Sequence, residues 1–175
     1  MEMKKLSYLL AISLFVLSVF TNVNAQTKGK FAHIDSQALI TSMPEKEAAQ
    51  KKLQEEASTL ETELVAMQDE MQKKYKDYLA KKETLTDLVK QSKETELQDL
   101  QTRIQTFQST AQEQLEKKEA ELLQPIIDKA KKAIEEIAKE KGYIYVLDVS
   151  LGVILYFSSE SEDLLPLVKK KLGIV

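Results

Sequence analysis

Residues 44–142 read PEKEAAQKKLQEEASTLETELVAMQDEMQKKYKDYLAKKETLTDLVKQSKETELQDLQTRIQTFQSTAQEQLEKKEAELLQPIIDKAKKAIEEIAKEKG. Between Pro44 and the closing Gly142 there is one proline, Pro125, and no glycine, and Glu, Lys, Gln, Ala and Leu dominate. That composition belongs to long helix. One helix of this length would span on the order of 150 Å at ~1.5 Å per residue, so a small protein is better served by a helix that runs out, turns and returns. The outward helix carries Leu53, Ala57, Leu60, Leu64, Met67 and Met71 at heptad spacing, and the returning one Leu97, Leu100, Ile104, Phe107, Ala111 and Leu115. Two such seams pack on each other as an antiparallel hairpin. The alternation is expected to slip at Tyr75, Tyr78 and Leu79, and the tip to fall within residues 82–92, with equal arms placing it near Ser92.

Working outward, Pro44 suits a helix start, where its missing N–H costs nothing. Pro125 removes a hydrogen bond from the returning helix and predicts a bend. Beyond it Ile126, Ile127, Ala130, Ala133, Ile134, Ile137 and Ala138 form a broader apolar stripe, expected to be buried against more than one neighbour. Gly142 is placed as a C-terminal cap after Lys139 and Lys141. On the N-terminal side, Phe31–Asp35 is a short strand followed by a helical turn at 37–42. On the C-terminal side, 143–149 and 153–157 are two nearly continuous apolar strands joined at 150–152, so both of their faces should be covered. A final helix starts with Asp163 as cap and carries Leu164, Leu167, Val168 and Leu172 on one side. The fold class expected is α+β, mostly helical, with a long antiparallel hairpin inserted into a small β-body.

Residues 1–25 have the three parts of a secretory leader: Lys4 and Lys5, an apolar run from Leu6 to Phe20, and a compact stretch ending at Ala25. The run is shorter than the ~20 residues of a membrane span. A leader cleaved after Ala25 marks an exported chain. The formal net charge is −3, and loss of Glu2, Lys4 and Lys5 with the leader makes it −4. With both signs interspersed and no basic face, nucleic acid is not an expected partner. There is no cysteine, which excludes disulfides, thiolate metal sites and a lipid-anchored cysteine.

Little here can do covalent chemistry. The glycines, at 29, 142, 152 and 173, form no phosphate loop, so neither ATP nor another cofactor is expected. The single histidine, His33, has Asp35 nearby and serines elsewhere, but no nucleophile sits in a motif, and it is read as a strand histidine with one wet edge. Paired carboxylates such as Glu55–Glu56 and Glu135–Glu136 are solvated helix faces with lysine partners. Lys169–Lys171 serves the last helix's C-terminal end and solubility. The chain is not expected to be an enzyme.

The order of leader, Phe31-Ala-His-Ile-Asp35, charged hairpin, Tyr143-Ile-Tyr-Val-Leu-Asp148, Val153-Ile-Leu-Tyr156 and the closing Ser158-Ser-Glu160, Asp163-Leu164 and Val168-Lys-Lys-Lys-Leu172 resembles the Skp/OmpH periplasmic chaperones across the mature chain. The resemblance implies a homotrimer in which residues 26–43 and 142–175 assemble a barrel-like body and 44–141 hang from it as a tentacle. The body core would include Phe31, Ile34, Ile144, Val146, Val153, Leu155, Leu164 and Val168. It also implies an ATP-independent holdase whose partners are unfolded outer-membrane β-barrel proteins, held in the cavity between tentacles. Met67, Met71, Tyr75, Tyr78, Leu79 and Phe107 are then the candidate client-binding residues, although Phe107 keeps the heptad and suits the seam better, while Tyr75 and Tyr78 suit either. Familiar members are strongly basic; this acidic chain weighs against direct lipid binding. The alternative is an exported coiled-coil adaptor docking a folded partner.

Overall fold

A computed structural model describes residues 29–174; the expected leader at 1–25 lies outside them. Strand β1 (Lys30–Ile34) ends at Asp35, whose carboxylate accepts from the Ala38 N–H and so caps helix α1 (Ser36–Ser42). Met43 then breaks the helix with extended backbone, and Pro44 in the first turn opens α2 (Pro44–Lys81). A 3₁₀ turn at Lys82–Thr84 precedes α3 (Asp87–Lys141). Gly142, at φ 72°, closes that helix in the left-handed conformation that glycine adopts without strain. β2 (Tyr143–Asp148), β3 (Glu162–Asp163) and α4 (Leu165–Leu172) complete the chain.

The three strands form one sheet in the order β2-β1-β3, with both pairings parallel. Parallel neighbours require a crossover connection, and between β1 and β2 that crossover is the whole helical hairpin. On the sheet, α1 and the root of the arm bury one core: Ala32, Ile34, Leu39 and Met43 meet Ile126, Ala130, Ala133, Ile137, Leu164 and Val168. The stripe beyond Pro125 is buried at every third or fourth residue as expected, except that Ile127 is 39 % exposed. The helix continues through Pro125.

Three expectations are corrected. The turn falls at 82–86, within the expected 82–92, but equal arms near Ser92 are not found: α2 has 38 residues and α3 has 55. The asymmetry arises because the last turns of α3 also form the floor of the body. Residues 153–157 form no strand. β1 is already paired on both sides, by β2 and by β3, and Leu155 stands 97 % exposed. Finally, Asp163 is not the helix cap but lies one residue before it, where its carboxylate accepts from the Leu165 N–H at 2.9 Å.

Candidate functional site

The arm and the outward-facing surface of the body are where the chain can meet another molecule. In the arm the seam does not slip. It continues from Met71 through Lys74 to Tyr78, keeping steps of three and four. Tyr78 is buried, and its hydroxyl donates to Glu94 on the opposite helix. Lys74 is half-buried at a seam position and pairs with Glu96 of α3 and, at 3.6 Å, with Glu70. Its charge hides the heptad from a reading based on apolar residues, although the spacing alone reveals it. Across from it, Leu100 and Ile104 are buried, and Leu97, Phe107, Ala111 and Leu115 are half-buried.

The six candidate residues therefore separate. Tyr78 belongs to the packing between the arms, because heptad geometry turns it inward. Met67, Met71 and Phe107 are half-buried in the seam, each leaving an edge accessible. Tyr75 and Leu79, one position beyond the seam, are each about half exposed, at 50 % and 51 %. Leu88 near the tip is also exposed; lying outside both seams, it carries no periodic signal.

Electrostatics tighten the outer arm. Hydrogen bonds from Lys74 and Lys93 hold the Glu96 carboxyl far down, at about 2. The bond to Glu94, with burial behind it, pushes the Tyr78 phenol up to about 12. The side chains of Lys74, Lys93 and Glu96 are 37–50 % exposed, so these ion pairs confer orientation more than stability. Near the body, Lys129 of α3 pairs with Glu45 of α2, joining the arm's two roots.

In the body, Ile34, Leu164 and Val168 are buried within the single chain and Val146 is half-buried. Phe31, Ile144, Val153 and Leu155 are not core residues of one chain: they are exposed, along with Tyr145 and Tyr156. Phe31 stacks on Tyr145, with ring centroids 6.1 Å apart, and Phe157 stacks on His33. The His33 Nδ1 lies 2.9 Å from Ser161 Oγ, while Asp35 is engaged at the α1 cap. The histidine thus fastens the loop before β3 to the central strand, and the three residues assemble no proton relay. Among the described residues no cluster of metal-binding side chains occurs, and no helix is long and apolar enough to cross a membrane.

The family described as Outer membrane protein (OmpH-like) matches residues 30–172. An OmpH-like protein of Caulobacter crescentus CB15, provisionally assigned as an outer membrane chaperone, has a similar fold, with a TM-score of 0.71 at 17 % identity over 87 % of this chain and 89 % of that one. No curated protein matches the sequence.

Proposed function

Because the chain belongs to the OmpH-like family of outer membrane proteins, we propose that it is an ATP-independent holdase chaperone of the periplasm, binding unfolded envelope proteins between arms of a homotrimer. The observation that carries this reading is the exposed apolar surface of Val153, Leu155, Tyr156 and Phe157, together with Ile144 and Tyr145 of β2, a strand whose outer edge is unpaired among the described residues. Exposed apolar strand-formers and an open sheet edge are surfaces that pair with another chain. Further copies of this chain supply that pairing, with residues 26–43 and 142–175 as the assembling body and 44–141 as the arm. Phe31, Ile144, Val153 and Leu155 become interior on assembly.

The α2 arm is roughly 57 Å long at ~1.5 Å per residue, so three of them enclose a space large enough for a collapsed chain. Retention comes from many weak contacts made by several arms at once. These raise the effective concentration of binding sites yet let the client move and leave. The charged outer faces keep the loaded complex in solution. Unfolded outer-membrane β-barrel proteins are the proposed partners.

One observation favours a second reading. The seam is unbroken to Tyr78, as in a rigid coiled-coil adaptor that docks a folded partner. Native mass spectrometry with a urea-diluted β-barrel protein separates the two. A trimer that takes up the unfolded chain and suppresses its aggregation without nucleotide supports the holdase. A stable monomer, or a trimer indifferent to the unfolded chain, refutes it.

A further inference from the structure

The arm has two flanks of opposite chemistry. One position beyond successive seam residues of α2 lie Val65, Gln68, Gln72, Tyr75 and Leu79; one beyond those of α3 lie Gln98, Gln101, Gln105, Gln108 and Gln112. Both sets step by three and four, and neither contains a charge in a chain that is 30 % Asp, Glu, Lys and Arg. In an antiparallel pair these offsets fall on the same side of the seam. A groove of about 410 Å³ joins them, floored by Met71, Tyr75 and Ile104 and walled by Gln68 and Gln72 against Gln101 and Gln105. The other flank holds a groove of about 680 Å³ whose lining includes Glu70, Glu96, Asp99 and Arg103.

The glutamines of the uncharged groove are exposed, and among the described residues their side chains have no hydrogen-bond partner. By contrast, Gln112, Gln114 and Gln124 donate to neighbouring carboxylates. Each free amide offers two donors and an acceptor, the same functions that an extended main chain presents. The complement of such a strip is a segment without charge, since a carboxylate or ammonium placed there would lose water without gaining a partner. From Gln68 to Tyr75 the groove runs about 10 Å, room for about three extended residues at ~3.3 Å each. That is far below the ~800 Å² per partner of a stable protein interface. The size suits one weak contact among many.

We propose that this glutamine-walled flank is the arm's client-binding face, taking uncharged extended segments of unfolded polypeptide whose main chain bonds to the amides and whose apolar side chains rest on Met71, Tyr75 and Ile104. The proposal rests on the holdase reading and specifies its contact chemistry.

The test uses the full mature protein with a photo-crosslinking residue at Gln72 or Gln101, and for comparison at Lys73 or Asp99 on the charged flank, with a urea-unfolded outer-membrane β-barrel protein as probe. Labelling of the probe is expected to be at least about fivefold stronger on the glutamine flank. The double variant Gln68→Glu/Gln105→Glu is expected to bind the probe about tenfold more weakly, with unchanged thermal melting, because each carboxylate must be desolvated over an apolar floor. Equal labelling of the two flanks, or unchanged affinity of the variant, while the probe is still held overturns the assignment and leaves the holdase standing. Crosslinks joining two copies of this chain through Gln72 or Gln101 also overturn it, since the flank is then buried by assembly. Absence of probe binding to the unmodified protein removes both readings together.

Discussion

Replacing Asp148 tests how the two halves of the body are held together. Asp148 closes β2, and its carboxylate gathers the start of α1: it accepts from Ser36 Oγ at 2.5 Å, from the Ser36 N–H at 3.3 Å and from the Ser150 N–H at 3.0 Å. Beside it, the Val149 N–H donates to Ile34 at 3.0 Å. The latch joins the last residue of β2 to the residues just after β1, across the entire hairpin. Burial alone would raise the Asp148 pKa. The bonds from Ser36 and Ser150 together outweigh it and bring the carboxyl below its ordinary 3.8.

Hydrogen bonds to a charged acceptor contribute roughly 1.5–3 kcal/mol, and water reaches part of this half-buried site. Asp148→Ala should therefore cost about 2 kcal/mol, and Asp148→Asn, which keeps one acceptor, about 1 kcal/mol. With a urea slope of about 2 kcal/mol per molar, the alanine variant should unfold about 1 M earlier at pH 7. Because the folded pKa is depressed, the charge-dependent stability is fully present above the unfolded value of ~3.9. It is lost as pH falls through the lower folded value. The gap between wild type and Asp148→Asn must therefore narrow below about pH 4. The assay is urea unfolding followed by circular dichroism at fixed protein concentration, at pH 7 and pH 3. Equal midpoints at pH 7, or an Asn deficit that does not change with pH, would refute the latch.

The remaining predictions concern the arm and the tyrosines. Leu100→Ala removes a buried seam residue and should cost about 2–4 kcal/mol, read as loss of helical signal at lower temperature. Glu96→Gln, which removes only exposed ion pairs, should have a smaller effect that added salt abolishes. Alkaline titration followed by tyrosinate absorbance should show two late ionisations near 12. That of Tyr78 is raised by its bond to Glu94, and that of Tyr143 by burial and then by Glu162. Tyr78→Phe and Tyr143→Phe should each remove one of them.

The hairpin was legible in the chain because its signals are local. Heptad spacing, a proline at the start, a glycine at the end and the absence of breakers between them are properties of neighbouring residues. The broad stripe after Pro125 and the αL cap at Gly142 belong to the same class. The seam beyond Met71 was not legible from apolar pattern alone, because Lys74, a charged residue, occupies a seam position and is paired there with Glu96 of the other helix. For the same reason Tyr75 and Tyr78, three residues apart and alike in type, could not be told apart until the second helix was in place. One is buried and the other is half exposed.

What the sequence by itself determined is therefore the α+β class, the long arm and the two apolar ends, since backbone propensity and side-chain period act over a few residues. What only the tertiary structure decided is which edges pair and which faces stay open. β1 takes the centre of the sheet, β3 is a two-residue strand at 162–163, and 153–157 remains unpaired although its composition is that of a strand. A strand exists only where an edge offers its hydrogen bonds, and edges are distant in sequence. Within one chain β2 and β3 already occupy both sides of β1, and residues 149–161 must cross from β2 to β3 over the central strand, so 153–157 runs along neither free outer edge.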